Sequence, residues 1–335
     1  MKRKNLSFIM GAVFLAGSAM FLSCSENDFA SEIVEQDAAA TKNIPASFKV
    51  YTITKPGTYY ISGTVKGQYI DIKSKGKVVI QGVGSNPTFQ GQSYSGQARS
   101  SSHIRGGSDE LIIQNFTFKG KVGHNFMSLR GNGKKTIKNL TVINNTKAGA
   151  GAINPGPNSN VTGCYIEPHD DAIKVTENNS RANNNVIKMD GNGSAIQLGW
   201  GKRSNGAIHY ATNTKISGFL LCNKQTNTCN NPGRSIIGGI FENNVSDIKV
   251  TGLDINMASN HNGHYVKLRA NGGSVNKVVI EGKIRNTVKV KAGIQPIALS
   301  TARGAKISNI SIDFKGKIKA NQVYKDKGVV GFTLK

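Results

Sequence analysis

Along residues 50–65 apolar and polar residues alternate on either side of Pro56-Gly57, as VYTITKPGTYYISGTV. Alternation of period two, broken by turn residues, predicts strands, because successive side chains of a strand face opposite ways. From Leu111 onward a small turn residue followed by a short β-prone run recurs. The copies are NFTF at Asn115, NLTV at Asn139, GCYI at Gly163, NVIK at Asn185, GFLL at Gly218, GLDI at Gly252, NKVV at Asn276 and NISI at Asn309. They begin roughly 22–34 residues apart, within the range of a solenoid. No copy is long enough to bury its own apolar face, so neighbouring copies must stack. Asn and Gly at the turns, with Val, Ile and Leu in the strands, predict an all-β chain: a single-stranded right-handed parallel β-helix of about ten to twelve coils. No stretch beyond the leader has a helical period. Asn139, Asn183, Asn184 and Asn185 are read as structural, stacked at turns or left-handed. The wider spacings around HYATNTKI and CNKQTNTCNNPGRS predict loops inserted into regular coils, and such insertions often wall a groove.

The leader breaks this pattern. Lys2, Arg3 and Lys4 precede a nearly unbroken apolar run from Leu6 to Phe21, which ends in Leu22-Ser23-Cys24-Ser25. The run is short for a spanning helix, and its end resembles a bacterial lipobox, whose cysteine is lipidated and becomes the mature N-terminus. Residues 1–23 are therefore expected to be a lipoprotein signal peptide, Cys24 the lipidation site, and 24–43 a flexible acidic tether. The β-helix domain is expected over 44–335. The tether resembles the acidic leader of surface lipoproteins in Bacteroides-like bacteria, which implies an outer-membrane lipoprotein on the periplasmic or cell-surface side.

Charge adds a partner class. The chain carries 43 Lys and Arg against 19 Asp and Glu, a net charge of +24. Glu26, Asp28, Glu32, Glu35 and Asp37 sit in the leader, so the folded part is more basic still. Such a field attracts polyanions. The chain lacks the clustered basic-aromatic module of a nucleic-acid reader, so nucleic acid is not expected, and an acidic or sulfated polysaccharide is favoured. The bland alternative is that the charge serves solubility or holds the domain near an anionic surface. Cys222 and Cys229 bracket a short polar loop and are expected to close a disulfide in an oxidising compartment, leaving Cys164 as a buried thiol. No spacing of Cys and His suggests a metal, and no cofactor is expected.

The carboxylates are not spread evenly. Glu167, Asp170, Asp171, Glu177 and Asp190 fall in one stretch, with His169 beside the Asp pair and the only tryptophan, Trp200, followed by Lys202 and Arg203. Acids, a histidine, an aromatic plate and cations are what a glycan-cleaving site needs. Asp171 and Asp190, 19 residues apart in sequence, are expected on neighbouring coils about 4.8 Å apart, where two carboxyls would titrate apart, one kept as an acid and the other as a base. Asp170 and Asp171 would face opposite ways on a strand, but both can reach a groove from a bend. Asp170, Asp171 and Asp190 are the candidate catalytic residues. Farther on, His264, Lys267 and Arg269 in SNHNGHYVKLRA are candidates to line the same groove.

HDDAIKV followed by NNVIKMDGNGSAIQLGWGKR resembles the core of glycoside hydrolase family 49, the dextranases and isopullulanases. The matching positions are Asp170, Asp171, Lys174, Val186, Lys188, Asn192, Ile196, Gln197, Gly199, Trp200 and Arg203. The resemblance covers about 35 residues closely, and the repeat around it is compatible over more. It implies a pectin-lyase-like right-handed β-helix and inverting hydrolysis of α-glucans by a trio of aspartates, two of them at Asp170 and Asp171. It also brings Lys174, Gln197, Trp200 and Arg203 into the substrate site with His169 and Lys202. The family's third aspartate would fall at Gly151–Asn154, where this chain has no carboxylate, and its N-terminal β-sandwich has no room here.

The leading expectation is thus a lipid-anchored, endo-acting polysaccharide hydrolase, monomeric, touching the membrane only through its lipid. Two rivals stay open. A polysaccharide lyase would suit the basic surface, and a non-catalytic glycan-binding β-helix would suit the missing upstream aspartate.

Overall fold

The alternation read from the sequence becomes, in a computed structural model of the chain, three ladders of parallel strands. The structure describes residues 40–93, 101–120, 125–144, 151–223, 229, 234–288 and 293–335. Residues 1–23 and Cys24 lie outside the described residues, as does most of the 24–43 tether. Its last residues, Ala40–Asn43, form a strand paired in parallel with Gly57–Lys73, so the folded part starts ahead of Ile44. The alternation read from Val50 misses this because backbone pairing needs no apolar side chain.

Every strand pairing recorded is parallel, and the only helix among the described residues is the short 3-10 turn Ala320–Gln322. The first ladder runs through Tyr51, Ile70, Ile104, Met127, Ile153, Ile173, Ile196, Ile237, Val266, Ile297 and Val323, each beside the next. The second passes through Ile113, Ile137, Val161, Ala182 and Ala211. The third passes through Phe89, Phe118, Val142, Ile166, Ile187 and Ile216. Apart from Tyr51 and Val323, these ladder residues are buried. Each level of the stack, or rung, therefore adds an apolar side chain to each of three inward columns, and one rung alone would have nothing to pack against. Burial of one such Ile or Leu is worth about 1.5–3 kcal/mol. Near the N-terminal rungs the columns widen into aromatic stacks, with Phe118 and Phe126 at 4.1 Å between ring centroids.

The turns that join the rows hold the small residues of the repeat. Asn115, Asn139, Gly163, Gly218, Gly252 and Asn309 have positive φ, while two further turns place it one residue away, at Asn184 and Lys277. Asn183 instead stacks, donating to Asn160 Oδ1 at 2.8 Å. Asn185 is buried; it accepts from the Cys164 amide at 3.0 Å and donates to the Val161 carbonyl at 3.1 Å. These asparagines supply what the bends lack, a partner for backbone groups turned away from the strand ladders. Cys222 and Cys229 are joined as a disulfide, and the Cys164 thiol is buried, its pKa pushed up to about 11 by that burial.

Candidate functional site

Between the strand Tyr165–Pro168 and the strand Ile173–Lys174 the chain bends from the third row into the first, and Asp170 and Asp171 occupy that bend. Asp171 is 3% exposed. Its Oδ1 accepts the Ser194 amide of the next rung at 2.9 Å, and its Oδ2 lies 3.0 Å from the Lys174 ammonium. A carboxylate so buried is tolerated because it is both ion-paired and hydrogen-bonded. Each oxygen keeps a further lone pair for another donor.

Asp170 has a different environment. Burial, and then the neighbouring Asp171 carboxylate, push its carboxyl up to about 7, while the charges of Lys174 and Arg234 pull the other way. The bend packs against Gly193, where a Cβ would collide with the Asp170 carbonyl and the Asp171 amide; its φ of +73° also suits glycine. Arg234, on the rung after Ser194, was not singled out by the sequence. It has a φ of +120°, a region costly for a side-chain-bearing residue. Its guanidinium donates to the Gly191 carbonyl at 2.6 Å and the Leu221 carbonyl at 2.8 Å. The strained backbone is thus held by the same contacts that bring a cation to Asp170.

The outward side of the first row continues the site. Lys174 pairs with Gln197, Gln197 with Gly238, and Gly238 with Lys267. Gln197 is fully buried, yet neither its Oε1 nor its Nε2 has a partner. Leaving such a group unsatisfied costs about 1–3 kcal/mol, a local cost carried beneath this face. Trp200 is 44% exposed, and the Lys174 ammonium stands 5.6 Å from its ring centroid. Lys202 and Arg203 follow in the exposed turn after Trp200; the Lys202 carbonyl accepts from Asn243 at 2.6 Å. Asp170, Asp171, Lys174, Gln197 and Trp200 are therefore gathered on one face.

Asp190 stands apart from them. The partner of Asp171 on the next rung is Ser194, so the repeat here is 23 residues long, and a separation of 19 leaves Asp190 on the preceding strand, Val186–Gly191. There it is exposed on the outer side of the third row. Glu167, on the neighbouring strand of that row, is engaged by the Tyr165 hydroxyl and lies 3.3 Å from Lys188. His169 donates its backbone amide to the Asn144 carbonyl at 3.0 Å, and its ring Nδ1 is buried without a partner. On the rung before Asp171 the backbone contact comes from Ala152, which donates to the Asp171 carbonyl at 2.8 Å, so no third acid stands there.

His264, Lys267 and Arg269 form a second group. Three rungs separate Lys174 from Lys267, roughly 14 Å at the usual strand spacing. His264 is buried, and its Nδ1 lies 2.6 Å from the Gln295 carbonyl. Burial, and then the Lys267 charge, bring its pKa down to about 4. Burial, and then Arg269, lower Lys267 to about 8; its ammonium contacts the Cys229 carbonyl. Arg269 is exposed. Among the described residues no three of His, Cys, Asp and Glu converge as a metal centre would need.

The sequence did not mark Arg234, nor did it mark Arg130, Asn154 and Glu177 as residues that line one pocket with Arg203. Glu177 was visible as one of the clustered acids, whereas Arg130 and Arg234 come from distant parts of the chain. No protein-family model and no curated protein matches the chain.

Proposed function

We propose that the protein hydrolyses internal glycosidic bonds of a polysaccharide in the groove that begins at Asp170. The observation that carries this reading is the Asp170 carboxyl, pushed up to about 7 beside a second carboxylate already fixed by Lys174 and the Ser194 amide. One acid that holds its proton near neutral pH, next to a carboxyl ion-paired with a lysine, supports the division of labour glycoside hydrolysis requires. Asp170 gives its proton to the glycosidic oxygen as the carbon–oxygen bond breaks. Water attacks the anomeric carbon from the opposite face, with inversion, and its proton passes to Asp171. Lys174 holds Asp171 in place, and Trp200 offers a ring face to a sugar.

Around this site we take the chain to wind as a right-handed parallel β-helix. Parallel pairing of successive rungs supports this reading, since crossover connections between parallel strands are right-handed in about 98% of cases. The leader supports export and anchoring through lipidated Cys24, facing the periplasm or the cell surface.

One observation favours a second reading. Lys267, lowered to about 8, lies near Arg269, and a base poised beside a cation that neutralises a uronate suits β-elimination. The two readings part on their products. The purified protein is incubated with neutral α-glucans and anionic polysaccharides while reducing ends and ultraviolet absorbance are followed together. Reducing ends without absorbance, lost in Asp170→Asn, support hydrolysis; reducing ends with absorbance, retained in Asp170→Asn, overturn it in favour of a lyase.

A further inference from the structure

Beyond Trp200, on the same side of the stack as the acid pair, lies a cavity of about 240 Å³ that the catalytic reading does not use. Four successive rungs build it where their strands leave the first row. Ser128 and Arg130 come from one, Asn154 from the next, Glu177 from the third, and Arg203 and Asn205 from the fourth. The cavity is smaller than the ~300–1,000 Å³ that takes a drug-sized ligand, a size that suits one sugar unit.

Its charges are uncommitted. Among the described residues neither Arg130 nor Arg203 makes an ion pair or a side-chain hydrogen bond, and Glu177 has no cation within ion-pair distance. All three nevertheless feel one another: burial raises the Glu177 carboxyl, and Lys135, Arg203 and Arg130 pull it back down. Lys135 is not a free cation here, since its buried ammonium donates to the Gly131, Gly133 and Pro157 carbonyls at 2.6, 2.9 and 2.8 Å. Asn154 adds an independent sign. The residue lines the cavity, while its side-chain oxygen is shut off from solvent and has no donor. Two guanidinium forks match a planar or tetrahedral anion, and they bind such groups in pairs of parallel hydrogen bonds. One acceptor, the Glu177 carboxylate, matches hydroxyl donors. An anion on one side and hydroxyls on the other describe an acidic sugar.

We propose that this cavity is a subsite for a sugar unit that carries a carboxylate or a sulfate. The subsite rests on the glycan-groove reading above and sharpens it to an anionic polysaccharide. The Arg203 amide donates to the Trp200 carbonyl at 3.3 Å, and Glu177 lies three residues past Lys174. The subsite and the acid pair are therefore linked through short stretches of chain, and one bound chain can occupy both.

The test is calorimetric titration of the full-length protein carrying Asp170→Asn, so that nothing is turned over. The probes are a galacturonate tetramer, a sulfated galactan tetramer and a neutral gluco-tetraose. At least one anionic probe is expected to bind tenfold or more tighter than the neutral one, with affinity that falls as salt rises. Whichever of the two binds identifies carboxylate or sulfate. Arg130→Gln and Arg203→Gln are each expected to weaken that binding about tenfold, whereas Arg181→Gln, on another row, leaves it unchanged; circular-dichroism melting confirms that the variants fold. Equal affinity for all three probes, no binding by any, or anionic binding indifferent to both arginine variants overturns the subsite. The two readings fail separately. Arginine-dependent anionic binding by a wild-type protein that releases no reducing ends leaves the subsite standing and removes the hydrolase. Cleavage of a neutral glucan that Arg130→Gln and Arg203→Gln do not affect removes the subsite and leaves the hydrolase.

Discussion

The acid pair at Asp170 and Asp171 and the basic pair at His264 and Lys267 lie along the same outward line of one row, three rungs apart, yet burial drives them in opposite directions. At the first, an acid is raised to about 7 while Lys174 and Arg234 stand by as counter-charges. At the second, a histidine falls to about 4 and a lysine to about 8, each lowered further by a neighbouring cation. Burial penalises whichever form is charged, so the sign of each shift follows the residue type, and its consequence depends on the partners. Asp170 can hold its proton near neutral pH beside a carboxyl that Lys174 ion-pairs. The basic pair is met by the Gln295 and Cys229 carbonyls and has no carboxylate to answer it. A stack of similar rungs can thus carry different chemistry at equivalent positions without altering its core.

The largest expected effect breaks the first group directly. Asp170→Asn removes the proton donor, and a fall in turnover of about 10²–10⁴-fold is expected, measured by reducing-end release, with the circular-dichroism spectrum unchanged. Next in size is Asp171→Ala. It strands the half-buried Lys174 ammonium and the Ser194 amide, so a loss of about 3 kcal/mol is expected in urea unfolding.

The comparison also sets two pH dependences of opposite sign. Asp170 binds its proton more tightly folded than unfolded, so its contribution to stability is full below about 4 and is lost as pH rises through about 7. His264 binds its proton less tightly when folded, so its contribution is present above about 6.5 and is lost as pH falls through about 4. Each is on the order of a few kcal/mol at most. Melting curves from pH 4 to 8 should show Asp170→Asn flattening the loss towards high pH and His264→Gln flattening the loss towards low pH. If either variant flattens the opposite side, the assignment of the two groups is wrong. The smallest effect is expected at Trp200→Ala, where loss of the exposed ring weakens glycan binding about tenfold in titration and leaves stability nearly unchanged.

How much of this was legible follows from distance along the chain. The turn residues at Asn139 and Gly163 announce the rungs because each must adopt a positive φ locally, and local demands are written locally. At Asn184 and Lys277 the turn slips by one residue, because the bend needs only one left-handed position and a neighbour can take it. The Asp170–Asp171 bend is likewise readable, since both acids sit within one short link between strands. Asp190 shows the limit: a 23-residue repeat at that point, rather than one near 19, moves it to a different row. Arg234 could not be found from sequence at all. Its amide meets the Gly193 carbonyl across 41 positions, a contact set by the length of chain between them. Arg130 joins Arg203 in one cavity for the same reason, since four rungs must be stacked before their ends converge.

The most direct test of the central claim is the pH profile of reducing-end release from the polysaccharide the wild-type protein cleaves, measured beside Asp170→Asn. The account expects wild-type activity to fall as pH rises through about 7, where Asp170 loses its proton, no ultraviolet-absorbing product, and at least a hundredfold lower rate in the variant. Asp170→Asn with a wild-type rate and an unchanged profile would contradict it.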